Sequence, residues 1–189
     1  MSFDDERVRF YLKHRDQIEE WAALRSEAAV AVDEWLAQLR LDVEELARSL
    51  GASVRVHALV GTEQAWPSFR LTDSVWDEKP EPASVALEWM RGRTTMRGTF
   101  LPYVGVKSPK TTSIGVALRA SDAFRQVRQT RKEATTPWWA SLKYFAPDAA
   151  FPASADAFRE TLIEALRDAW RAYSGIVSSV VAGVPTTQR

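Results

Sequence analysis

Apolar and polar positions alternate along residues 84–119, with Val85, Leu87 and Trp89, then Phe100, Val104 and Val106, then Ile114, Val116 and Leu118 on one side. A period of two is that of half-buried strands, so the stretch predicts three consecutive strands joined by two polar connections. Two more strands precede it. Val54, Val56, Ala58 and Val60 alternate with Arg55, His57 and Leu59, and residues 66–72 turn Phe69 and Leu71 inward, with Pro67 placing that strand at an edge or at its own start. The connections are too short for crossover helices, which makes the five strands an antiparallel meander over residues 52–119.

The flanks read as helix. A heptad phase runs from Val8 to Leu50, and its second half is apolar at every seam position, including Val32, Leu36, Leu39, Val43 and Leu46, before Gly51 supplies a helix stop. Arg15 and Arg25 interrupt the first half, and Asp16 with Glu19 forms a capping box, so a break is expected near residues 13–15. Such a seam is the buried face of a helix on its own domain or the contact line of a homodimer. Past the meander, Ser121 caps a basic helix to about Lys132 with Ala123, Phe124 and Val127 as its apolar stripe. Residues 137–145 read as a short turn of helix with Trp138, Leu142 and Phe145 on one side, and Ser154 caps a last helix whose stripe includes Phe158, Leu162, Leu166, Tyr173 and Val177. The predicted class is α+β, one domain over residues 1–189, made of a helical arm (1–50), a sheet (52–119) and a helical C-terminal part (121–183).

Composition narrows the class. With 46% hydrophobic and 26% charged residues the chain is an ordinary globular sequence, and at 189 residues it can bury roughly 70% of the surface its unfolded form exposes. The absence of Cys excludes disulfides, thiolate nucleophiles and Cys-based zinc sites. The charged N-terminus lacks the apolar core of a signal or anchor, and no apolar run reaches the length of a membrane span, so a cytoplasmic protein without a membrane partner is expected. Nineteen Arg against six Lys point to a GC-rich bacterial genome.

Charge changes the picture more. The 25 basic and 25 acidic residues cancel over the whole chain, yet residues 91–143 hold eleven basic side chains against only Asp122 and Glu133. Within that segment Arg91, Arg93, Arg97, Lys107, Lys110, Arg125, Arg128 and Lys132 are candidate anion contacts, and Tyr103, Trp138 and Trp139 are candidate stacking or partner contacts, a composition suited to phosphate neutralisation plus base stacking. Compensation by the acidic N-terminal half is the competing reading.

Catalytic chemistry has little to stand on. No nucleophile elbow, phosphate loop, dinucleotide fingerprint or zincin motif occurs, and His14 and His57 read as solvated residues. Asp77, Glu78 and Lys79 spell the acidic-x-Lys of a metal-dependent nuclease, with Asp73 upstream and Glu88 downstream, but Pro80 puts the tripeptide in a loop. Gly92 and Gly98 bracket a polar hairpin loop. The expected function is therefore a non-enzymatic binding or adaptor protein, without cofactor, metal or catalytic residues, engaging nucleic acid or an acidic protein through residues 91–143. The alternatives are an oligomerisation subunit assembling through the heptad helix and a divergent nuclease using the carboxylates of Asp73 to Glu88.

Overall fold

A computed structural model describes residues 5–57, 66–77, 83–92, 101–145 and 155–185. Two helices come first, α1 (Glu6–Gln38) and α2 (Arg40–Leu50), followed by strands β1 (Ser53–His57) and β2 (Ser68–Thr72), a one-turn helix α3 (Ser74–Asp77), and strands β3 (Ser84–Glu88) and β4 (Tyr103–Lys107). Helices α4 (Ser113–Ala120) and α5 (Asp122–Thr130) then lead to strand β5 (Trp139–Tyr144) and the long helix α6 (Ala155–Gly183). The strands pair in the order β1-β2-β3-β4-β5, each antiparallel to its neighbour. The class is α+β, with a bent helix pair, a five-stranded antiparallel meander and a long C-terminal helix packed on the sheet.

One face of that sheet carries the main core. Phe69, Leu71, Val85, Leu87, Val104 and Val106 point to it, and α6 lies across β3 and β4 while α2 lies across β1 and β2. Leu162, Leu166, Tyr173 and Val177 recur at helical spacing and are fully buried, which is why α6 can run 29 residues against the strands. Trp76 on α3 plugs into the same core, donating its indole N–H to Ser178 Oγ at 2.9 Å and tilting onto Trp170. Among helix ends, Gly51 closes α2 in the left-handed conformation, and the Ser121 hydroxyl accepts the Phe124 N–H to start α5.

The helical arm bends twice. His14 has a non-helical backbone at the expected break, and a further step at Leu39 separates α1 from α2, which the unbroken heptad does not foretell. Leu36, Leu39, Val43 and Leu46 are buried in the chain's own core and Val32 packs against it, so these seam positions are occupied intramolecularly and are corrected as a dimer contact line.

The third strand of the predicted meander is also corrected. Residues 113–120 form α4, in which Ile114 and Leu118 stand one turn apart and are buried while Val116 is 58% exposed. Thr112 caps it by accepting the Gly115 N–H at 2.9 Å. The fifth strand is instead β5, from a stretch expected to be helical. β4 needs a partner along its open edge, and Trp139, Leu142 and Tyr144 supply side chains for the sheet's second face. Predicted strand residues Ala58, Leu59, Val60 and Phe100 lie outside the described residues.

Candidate functional site

The sheet's second face is polar where it is deepest. Register aligns Ser68, Glu88, Tyr103 and Tyr144 in one row across β2 to β5, and Arg70, Ala86, Gly105 and Leu142 in the next. Glu88 is buried, its Oε1 accepts the Tyr103 hydroxyl at 2.6 Å, and its Oε2 pairs with Lys107 Nζ. That ammonium lies 5.4 Å from the centroid of the Trp139 ring, while Tyr103 meets Trp139 and Tyr144 edge-on. Trp66 flanks Tyr103 from the start of β2.

Electrostatics follow from burial. Desolvation, reinforced by the Glu88 charge, pushes the Tyr103 hydroxyl far above the usual phenol range. Burial lowers the Lys107 ammonium, with Glu88 opposing the shift, and burial together with Arg70 and Lys107 lowers His57. Arg70 donates to Ser68 Oγ at 3.0 Å and is lowered by its own burial. Both Glu88 oxygens are engaged, so the carboxylate serves as a fixed counterion for Lys107, and the cluster is a closed structural network. Strand alternation could have located it. With Val85, Leu87 and Trp89 on the core side, Glu88 must share the opposite face with Tyr103 and Lys107.

Three candidate contacts are corrected by this arrangement. Lys107 is committed to Glu88, Tyr103 is buried beneath its aromatic neighbours, and Trp139 is only 3% exposed, so none of them offers a free surface. Several other basic residues of the segment are likewise spent within the chain. Arg119 donates to the carbonyls of Ser108, Gly115 and Thr136 at 2.8–3.0 Å, tying α4 to the chain before and after it. Arg131 pairs with Glu133, which also accepts the Tyr173 hydroxyl at 2.6 Å. Arg125 pairs with Asp122 on the exposed side of α5, and Arg91 is half-buried. Arg93 and Arg97 lie outside the described residues.

What stays available is smaller and better defined. The Ser108 N–H donates to the Trp138 carbonyl at 3.1 Å and the Lys110 N–H to that of Pro137 at 2.7 Å, so the 108–112 turn runs beside residues 136–138. Burial, joined by the charge of Arg128, lowers the Arg119 guanidinium, which grips the Thr136 carbonyl. Lys132 follows at the end of α5 with φ of 54°, its backbone N–H returning to Gln129. Lys110, Lys132 and the 64% exposed Trp138 face solvent, and Arg128 is half-buried. Among the described residues none of these three cations has a carboxylate within ion-pair distance. On another side an open groove of about 1190 Å³ between α2, α6 and β5 mixes both signs, with Asp42 paired to Arg159 at 2.5 Å beside Lys143, Glu164 and Arg167.

The carboxylates considered for a nuclease do not converge. Asp77 accepts from Thr72 and pairs with Arg55 at one end of β2, whereas Glu88 stands in register with Ser68 at the other, about 13 Å away along the strand. Asp73 caps α3 by accepting the Val75 N–H at 2.9 Å. Glu78 and Lys79 lie outside the described residues, and among those described no three His, Asp or Glu gather as a metal site. No helix among the described residues is long and apolar enough to cross a membrane. Compared with protein-family models, with curated proteins and with solved structures, the chain finds no match.

Proposed function

We propose that the protein is a binding or adaptor module that engages an acidic partner, nucleic acid first, through the strip formed by the 108–112 turn, the C-terminal end of α5 and residues 131–138. The observation that carries this reading is Trp138, 64% exposed beside Lys110 while its neighbour Trp139 is buried. An indole held in water next to cations that lack acidic partners suits a ligand with a negative backbone and flat bases. The cations neutralise phosphates and release counterions, and the ring offers a sequence-tolerant stacking platform.

Fluorescence anisotropy with single-stranded DNA and RNA oligonucleotides, repeated over a series of salt concentrations, tests it. Affinity falls with salt, and K110E/R128E/K132E removes binding while leaving the circular dichroism spectrum unchanged. Binding that survives this triple substitution, or no binding by the intact chain at low salt, would overturn the reading. An acidic peptide that competes where oligonucleotides fail would assign the strip to a protein partner.

A further inference from the structure

Arg55 and Arg70 stand directly opposite each other in the β1–β2 register. Val54 and Leu71 take the core side of their strands, so alternation puts both guanidiniums on the other face of the sheet. Like charges directly opposite weaken a strand pair, and here no carboxylate bridges the two. Asp77 Oδ1 lies 3.1 Å from Arg55 Nη2 without the geometry of a hydrogen bond, and its second oxygen accepts the Thr72 hydroxyl. Arg70 has no carboxylate within ion-pair distance among the described residues. Glu88, the acid whose field reaches it, has both oxygens engaged by Tyr103 and Lys107. The Arg70 Nε–H donates to the buried Ser68 Oγ at 3.0 Å, which fixes the plane of the guanidinium and leaves its two terminal nitrogens to present. His57, opposite Ser68, adds an imidazole on the same face. Arg70 is half-buried, so its charge is only partly hydrated and lacks a fixed counterion.

We propose that Arg55, Arg70 and His57 form a binding site for a phosphate group, free or carried as a monoester on a small molecule. Charge and shape select this ligand. The two forks stand on adjacent strands, with Cα atoms roughly 5 Å apart, and reach the space between them from different directions. A planar carboxylate offers one edge and satisfies one fork, whereas a tetrahedral phosphate has oxygens for both guanidiniums and for the imidazole. Its charge of about −2 turns the repulsion between Arg55 and Arg70 into attraction for a shared anion. Arg55 lies toward solvent with its side chain 53% exposed, which leaves the ligand a way in from the β1 edge of the sheet. The site shares no residue with Lys110, Arg128, Lys132 and Trp138, and it stands or falls apart from the oligonucleotide reading.

Isothermal titration of the intact chain with inorganic phosphate and with phenyl phosphate, in chloride buffer at constant ionic strength, tests the site. Each probe should bind at a single site per chain; tighter binding of phenyl phosphate assigns an organic ester, and equal binding assigns the free ion. Sulfate should compete and acetate should not. R55Q and R70Q should each weaken phosphate binding at least about tenfold, the loss of a charge-assisted hydrogen bond. R55Q changes an exposed side chain and should keep the parent's melting temperature in phosphate-free buffer, so it carries the test even where R70Q disturbs folding. K110E/R128E/K132E should bind phosphate as the parent does, which separates this site from the oligonucleotide strip. No heat from phosphate with the parent chain, an affinity indifferent to R55Q, acetate competing as well as sulfate, or phosphate binding lost in K110E/R128E/K132E would each overturn the proposal.

Discussion

Tyr103 donates its hydroxyl to Glu88 at 2.6 Å between paired residues of β3 and β4, on the face of the sheet turned away from α6. With Lys107 on the second carboxylate oxygen, the group is buried and satisfied, and removing one partner strands the others. Glu88→Ala should cost about 3–5 kcal/mol because it leaves the half-buried ammonium without its counterion. Tyr103→Phe should cost about 1.5–3 kcal/mol, the range of a hydrogen bond to a charged acceptor. The double variant Glu88→Leu/Lys107→Met should be markedly more stable than Glu88→Leu alone in urea unfolding, since it deletes both charges together.

Alkaline pH should weaken the fold through two buried phenols. Desolvation is the first cause of the upward shift at both Tyr103 and Tyr173, joined by the charges of Glu88 and Glu133. A folded-state value raised above the unfolded value of about 10 means that this contribution is present in full below about pH 10 and lost as pH rises toward the folded value. Urea midpoints should fall above about pH 10, less steeply in Tyr173→Phe. Absorbance titration of the native chain should lag that of the unfolded one.

Adjacent tryptophans should behave as opposites. Trp138→Ala removes an exposed ring and should change stability by less than about 0.5 kcal/mol, while lowering oligonucleotide affinity by about 1–3 kcal/mol if one base stacks there. Trp139→Ala opens a hole beside Tyr103 and should cost about 3–5 kcal/mol.

Gly105 is required by the closeness of β4 and β5. A Cβ at that position would run into the Ser141 carbonyl oxygen and lie 2.7 Å from Leu142 Cα, all of it backbone that cannot step aside. Gly105→Ala should cost about 3 kcal/mol or more, seen as a lost or much lowered thermal transition.

Leu39→Glu places a carboxylate in the closed core where α1 meets α2, and should unfold the chain at neutral pH. Trp21→Glu, on the same helix but outside the body, should leave the melting temperature nearly unchanged. Thermal scans of the two variants check the contrast.

Much of this molecule was legible in its residues. Val85, Leu87 and Trp89 repeat at a period of two, and Leu162, Leu166, Ala169 and Tyr173 at a helical one, so strand β3 and helix α6 could be read directly. Arg15 and the Asp16–Glu19 spacing point to a break near residues 13–15, and the backbone leaves helical geometry at His14. Residues 113–120 could not be read in this way. Ile114, Val116 and Leu118 satisfy alternation, and Ile114 with Leu118 equally satisfies one helical turn, so a run this short fits both periods. The decision fell to Thr112 as cap and to β5, which took the place beside β4.

The candidate surface divided in the same manner. Sequence alone determined that residues 91–143 carry eleven basic side chains against two acidic ones in a chain whose charges cancel, because that is a count of side chains. Only the tertiary structure decided which of them are spent. Glu88 and Glu133 are distant in sequence from the bulk of that charge or outnumbered within it, yet folding sets one against Lys107 and the other against Arg131. Three backbone carbonyls absorb Arg119, while Lys110 and Lys132 stay exposed and Arg128 is half-buried. Pairing depends on distances of a few ångströms across strands and helix ends, and no periodicity in the chain encodes them.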